Sequence, residues 1–175
     1  MALTVLLGGA RSGKSDLSSR LAAANDLPVV VVVTAEARDE EMTERIRRHR
    51  ESRPAGWTTV EEPIELATTI RELAPEAFVV LDCLSLWVSN AMEAGLGDER
   101  IVDEAREIAS ALAKRAAPAV VVSNEVGLGI VPVNALARRY RDTLGRVNAA
   151  FVSEADHAYF VVAGKALALE DVQLV

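Results

Sequence analysis

One cysteine, two histidines and three lysines stand among 175 residues, and only 4% of the chain is aromatic. With Cys83 alone no internal disulfide can form, which fits a reducing cytoplasm. No apolar run approaches the ~20 residues of a membrane span; PVVVVV, residues 28–33, is among the longest. The opening MALTVLLGGARSGKS has no basic segment ahead of its apolar stretch, so neither a signal peptide nor an anchor is expected. Positive charge is in deficit: 19 Lys and Arg face 26 Asp and Glu, a formal net charge of −7. That balance argues against a nucleic acid or an anionic membrane as the main partner.

What is present is apolar and periodic. Half of the residues are hydrophobic, and 18.7 kDa is enough for one domain with a sizeable core, so residues 1–175 are expected to form a single catalytic domain. Strand-length runs lie at 3–7, 29–33, 78–82, 119–123 and 158–162. They are β-branched and lack polar alternation, as strands buried on both faces do. Helical segments are expected at 14–25, 39–52, 63–74, 85–94, 98–116 and 134–155. In the last, Leu136, Tyr140, Leu144, Val147 and Phe151 share one face, with Asn134 as the cap. The pattern predicts an α/β, three-layer domain with a mostly parallel central sheet.

GGARSGKS, Gly8 to Ser15, matches G-x-x-x-x-G-K-[ST] between a strand and a helix. Backbone N–H groups of Gly8, Gly9, Ala10, Arg11, Ser12 and Gly13 are expected to curl around phosphate oxygens at the positive end of that helix. Lys14 would reach the β- and γ-phosphates, and the Ser15 hydroxyl would hold Mg²⁺. The motif indicates a P-loop NTPase-like site without naming the base. Such a site needs a second carboxylate near the metal, at the end of a neighbouring buried strand. Asp82, closing FVVLD, is the candidate; an ordinary strand-end Asp capping the next helix is the alternative. Cys83 has no identifiable base beside it and reads as a small buried side chain.

RIRRHRESRP, residues 45–54, places five arginines and one glutamate around His49. Asp39, Glu40 and Glu41 precede it, so both ends of a helix dipole are complemented. One reading is a half-buried histidine on a solvated helix. The other is chemical. Crowded cations disfavour a second proton on an imidazole, which leaves a ring lone pair for attack on phosphorus. The same arginines would hold a triphosphate and offset charge on leaving pyrophosphate. A phosphoramidate on histidine splits one transfer into two; a simple kinase needs no such nucleophile. His157 has no comparable setting and reads as structural.

Four segments together carry a resemblance: GGARSGKS, RHRESRPAGW, SNEVGLGIVP (123–132) and LARRYRDTLGRVN (136–148). From Leu3 to Gly164 the chain resembles the bifunctional adenosylcobinamide kinase / adenosylcobinamide-phosphate guanylyltransferase family. The resemblance implies phosphorylation of adenosylcobinamide by ATP or GTP, then transfer of GMP from GTP through a guanylylated histidine, with release of pyrophosphate. It implies His49 as the GMP carrier with Lys14 in the catalytic set. It also implies nucleotide contacts from Val33, Thr34, Ala35, Arg50, Glu51, Ser52, Arg53, Glu61 and Asp82, with Ser15 and Asp82 on Mg²⁺. A homotrimer is implied as well. Two positions depart from the family pattern: Asp82 stands where some relatives carry glutamate, and Arg48 where some carry a second histidine.

Glu125, with Gly127 and Gly129, falls on the carboxyl edge where α/β sheets bind ligands. It is read either as part of a site near corrinoid or nucleotide, or as a plain glycine-rich connection. Two other readings of the whole chain stay open from sequence. One is a P-loop small-molecule kinase without a covalent intermediate; the other is a non-enzymatic nucleotide-gated switch.

Overall fold

The computed structural model describes residues 2–51 and 53–171. In chain order the elements are β1 (Leu3–Gly8), α1 (Lys14–Ala23), β2 (Val29–Val33), α2 (Glu40–Glu51), β3 (Thr58–Glu61), α3 (Leu66–Glu72) and β4 (Phe78–Asp82). There follow α4 (Leu84–Glu93), α5 (Asp98–Ala113), β5 (Ala119–Asn124), α6 (Ala135–Glu154), β6 (His157–Val162) and β7 (Lys165–Ala168). The strands form one sheet in the order β3-β2-β4-β5-β1-β6-β7. Every pairing is parallel except β6 with β7.

The strands carry no polar alternation because both faces are covered. Leu3, Val5 and Leu7 of β1, Val79 and Leu81 of β4, and Val121 of β5 point into a core built with α3, α4, α5 and α6. Their neighbours Leu6, Val80 and Val120, with Val29, Val31 and Val33, form a second, smaller core against α1 and Trp57. Period-two alternation therefore sorts one apolar residue from another rather than apolar from polar. The result is the expected α/β architecture, with a larger helical layer on one face.

The structure adds two strands to the five expected. β3 and β7 are short edge strands; no described residue of β3 is fully buried, and β7 is exposed throughout. Edge strands need no apolar run, so the hydrophobic pattern is silent about them. The segment expected to be helical at 63–74 starts late, at Leu66, because Glu62 caps the preceding turn by accepting from the backbone N–H groups of Ile64 and Glu65. α6 begins as expected, with Asn134 Oδ1 accepting from Ala137 N at 3.1 Å. Its stripe is shorter than expected: Leu144, Val147 and Phe151 are buried and Tyr140 half-buried, but Leu136 is exposed. The arginines of α6 tie it to its surroundings. Arg146 forms a bidentate pair with Glu99, and Arg139 pairs with Asp98, both at the start of α5.

Candidate active site

The phosphate loop lies at the carboxyl end of β1, on the edge where such sheets present ligands. Two glycines are required by contact. A Cβ on Gly8 would stand 2.3 Å from the carbonyl oxygen of Val161, and one on Gly13, whose φ is +101°, 3.1 Å from Gly164 Cα. Lys14 is buried, and its Nζ donates to the carbonyls of Gly8 and Gly9 at 2.8 and 2.7 Å. This folds the loop around its own lysine. The first N–H groups of α1 follow directly, so the positive end of the helix faces the loop.

Beside the loop opens a cleft of about 780 Å³, the size that holds one small organic molecule. Its floor is the loop from Ala10 to Ser15. One wall is α2 with His49 and Arg50, then Arg53; the strand ends contribute Val33, Ala35, Glu61 and Asp82. His49 and Asp82 also border a smaller cavity of about 110 Å³, together with Ser15 and Trp57. Most of the residues singled out in the sequence thus meet in one place. Gly8 and Gly9 stand behind the loop as acceptors for Lys14. Thr34 points away from the cleft: it is fully buried, and its hydroxyl donates to Cys83 O at 2.7 Å and accepts from Cys83 N at 3.1 Å. Glu51 is turned towards Arg47, which it pairs at 2.6 Å. Ser52 lies outside the described residues.

The position of Asp82 corrects one expectation. β4 is not the neighbour of the phosphate-loop strand; β5 is inserted between them. Asp82 reaches the cleft from one strand further away, its peptide to Cys83 is cis, and the N-cap of α4 is Cys83, which makes no side-chain cap bond. The inserted strand ends in Asn124, which the sequence reading passed over for its neighbour Glu125. Asn124 lines the cleft and donates to Ser85 Oγ at 3.1 Å. Glu125 instead turns its carboxylate back to accept from Gly127 N, while its own N–H binds Gly8 O at 3.1 Å. The signal available was its place at the end of a β-branched run, shared with Asp82.

Charge in the cleft is divided. Asp39 Oδ1 accepts from Met42 N at 2.7 Å and starts α2, whose last turn carries Arg48, His49 and Arg50. Arg47 and Arg48 hold the Glu44 carboxyl well down, at about 2. Arg53 is half-buried, and burial lowers its pKa while Asp82 opposes the effect; a guanidinium remains charged nonetheless. It also donates to Thr59 Oγ1 at 3.3 Å. The Cys83 thiol is 3.0 Å from Ser85 Oγ and is pushed up, chiefly by burial, so it is a poor nucleophile. Among the described residues no group of three or more His, Cys, Asp or Glu is placed to hold a metal, and no helix is long and apolar enough to cross a membrane.

Comparison with known proteins shows the family to which the chain belongs. The family model described as "Cobinamide kinase / cobinamide phosphate guanyltransferase" matches residues 4–169. The bifunctional adenosylcobalamin biosynthesis protein CobP of Pseudomonas aeruginosa is 42% identical over 167 residues, covering 95% of this chain and 96% of that protein. The bifunctional adenosylcobalamin biosynthesis protein CobU of Salmonella typhimurium is 39% identical, covering 93% and 96%. Among solved structures, a Pyrococcus horikoshii OT3 protein, PH0250, aligns with TM-score 0.58 at 8% identity, over 98% of this chain and 87% of that one. A prototypical ATPase from the type III secretion system of pathogenic bacteria aligns with TM-score 0.56 at 10% identity, over 91% of this chain. This chain spans 50% of the secretion ATPase's length, and both structural likenesses concern the fold alone.

Proposed function

The chain belongs to the cobinamide kinase / cobinamide phosphate guanyltransferase family, and we propose how its cleft carries out both reactions of a bifunctional enzyme. In the first, ATP or GTP lies with its β- and γ-phosphates in the loop from Gly8 to Ser15, against Lys14. The aminopropanol hydroxyl oxygen of adenosylcobinamide bonds to the γ-phosphorus as the bond to the β,γ-bridging oxygen breaks. The hydroxyl proton passes to water, and the nucleoside diphosphate departs. The loop's N–H groups and Lys14 stabilise the charge that spreads over the phosphate oxygens.

In the second reaction a ring nitrogen of His49 bonds to the α-phosphorus of GTP, and the bond to pyrophosphate breaks. Arg50 and Arg53, on the same wall, offset charge on the leaving group. A phosphate oxygen of adenosylcobinamide phosphate then bonds to that phosphorus and displaces His49, which yields adenosylcobinamide-GDP and restores the imidazole. Ser15 and Asp82 fit a Mg²⁺ site, since this ion takes one or two protein oxygens beside phosphates and water, and there it would draw charge from the phosphate oxygens. The residues from Val126 to Leu136 supply a subunit contact: Ile130 and Val133 are 98% and 97% exposed, an apolar run that solvent disfavours. A homotrimer built on this loop completes the proposal.

The carrying observation is that His49 and the phosphate loop line one cleft. The test is intact-protein mass after incubation with GTP and Mg²⁺. Wild type is expected to gain one GMP, acid-labile and alkali-stable as phosphoramidates are. His49→Ala is expected to gain none, yet retain part of the cobinamide phosphorylation. A wild-type protein that phosphorylates cobinamide and never gains GMP is a plain kinase, and the guanylyl half of the proposal fails.

A further inference from the structure

His49 lies on α2, within an arm of chain that leaves the end of β2 and returns through β3. None of the helix's described side chains is fully buried. Among the described residues it alone of the six helices packs extensively against no other element of the fold. Bond formation at phosphorus is unforgiving of such freedom. Reacting atoms must sit ~3–3.5 Å apart and aligned, and a misplacement of ~1 Å can cost about 100-fold in rate.

Both ends of the arm meet at one buried amide. Asn90, on α4, is 5% exposed. Its Nδ2 donates to the carbonyl of Thr34 at 2.8 Å, where the chain leaves β2. The same nitrogen donates to the carbonyl of Pro63 at 3.1 Å, just after the chain has returned through β3. Its Oδ1 accepts from Arg38 Nη2 at 3.0 Å. Arg38 stands on the approach to α2 and is paired further with Glu36 and with Glu93 of α4. Two carbonyls on one side and a guanidinium on the other fix the orientation of the amide. Alanine offers none of these bonds, and aspartate offers the acceptor without the donors.

We propose that Asn90 is a positioning residue for the guanylyl step: by tying Thr34, Arg38 and Pro63 to α4, it sets where the α2 arm presents His49 over the phosphate loop. Asn90 does not line the cleft, so it acts through the arm. The inference rests on His49 being the residue that takes up GMP. γ-Phosphoryl transfer occurs at the phosphate loop and does not need an imidazole at the α-phosphorus. The two half-reactions should therefore separate when the tie is cut.

The experiment uses the full chain as wild type, Asn90→Ala and Arg38→Gln. It records the rate of GMP mass gain from GTP and Mg²⁺, the rate of γ-phosphate transfer to adenosylcobinamide, and the urea midpoint. In Asn90→Ala the guanylylation kcat is expected to fall about tenfold or more, with KM for GTP and phosphoryl transfer per folded molecule within about threefold. Arg38→Gln leaves the buried amide in place and is expected to move guanylylation the same way by a smaller factor, which keeps the test open if Asn90→Ala does not fold. Parallel loss of both rates with the folded fraction would overturn the proposal, as would guanylylation at the wild-type rate in both variants. If wild type itself gains no GMP, the His49 reading fails, and this inference with it; if wild type gains GMP and the variants match it, only the role of Asn90 is lost.

Discussion

The backbone N–H of Gly164 donates to the carbonyl of Ser12 across 2.8 Å. The β6–β7 turn, with Ala163 and Gly164 at φ +50° and +75°, thereby braces the phosphate loop from the far end of the chain. Gly13 and Gly8 leave room for this brace, since a Cβ on either would crowd Gly164 Cα or Val161 O.

Gly8→Ala is expected to force that contact apart, since a Cβ cannot remain 2.3 Å from a backbone oxygen. GTP affinity should drop by about tenfold or more, equivalent to ~1.4 kcal/mol, and the melting temperature should fall. Gly56→Ala, where an added Cβ meets nothing within 4 Å, is the comparison. Calorimetric titration with GTP and thermal melts of both variants check this, and equal affinities would mean the brace has no effect on the loop.

Tyr140 provides a pH dependence. Its hydroxyl donates to the carbonyl of Ser85 at 3.0 Å. Burial, with a smaller contribution from Cys83, raises its pKa from 10.0 to about 12. Because the folded value lies above the unfolded one, its contribution is complete below pH ~10 and is lost as pH rises towards 12. Tyr140→Phe is expected to cost ~0.5–1.5 kcal/mol near neutrality through the lost hydrogen bond. It should also flatten the decline in melting temperature between pH 10 and 12. Identical alkaline slopes for the two proteins would show that this phenol does not govern the decline.

The exposed loop gives a third expectation. Leu128 and Ile130 are 80% and 98% exposed, so charge there costs the isolated subunit little. Leu128→Asp with Ile130→Asp should convert the proposed homotrimer to monomers by light scattering, while the melting temperature measured on monomers is retained. An unchanged mass would place any subunit contact elsewhere.

The parallel sheet was legible because each inner strand is apolar on both faces. Val79 and Val80 face different cores, and neither is polar. The edge strands β3 and β7 escaped the same reading, since an edge needs fewer buried side chains. In the candidate site, Gly8 to Ser15 could be read because the loop is a backbone geometry encoded within eight residues. Asn90 could not: its meaning lies in Thr34, Arg38 and Pro63, and nothing near it in sequence signals them. Thr34 shows the converse. Its neighbours Val33 and Ala35 line the cleft, whereas Thr34, just past the end of β2, is buried against Cys83.

Sequence alone determined the phosphate loop, the helix that places His49 among arginines, and the burial of the central strands, all of them local arrangements within a few turns of chain. Tertiary structure decided that β5 separates Asp82 from the phosphate-loop strand, that Asn90 ties down both ends of the His49 arm, and that Gly164 supports Ser12. The reason is that the inner strands are nearly interchangeable runs of valine and leucine. Which of them pair, and hence which distant side chains meet, depends on how the helices pack over the whole sheet.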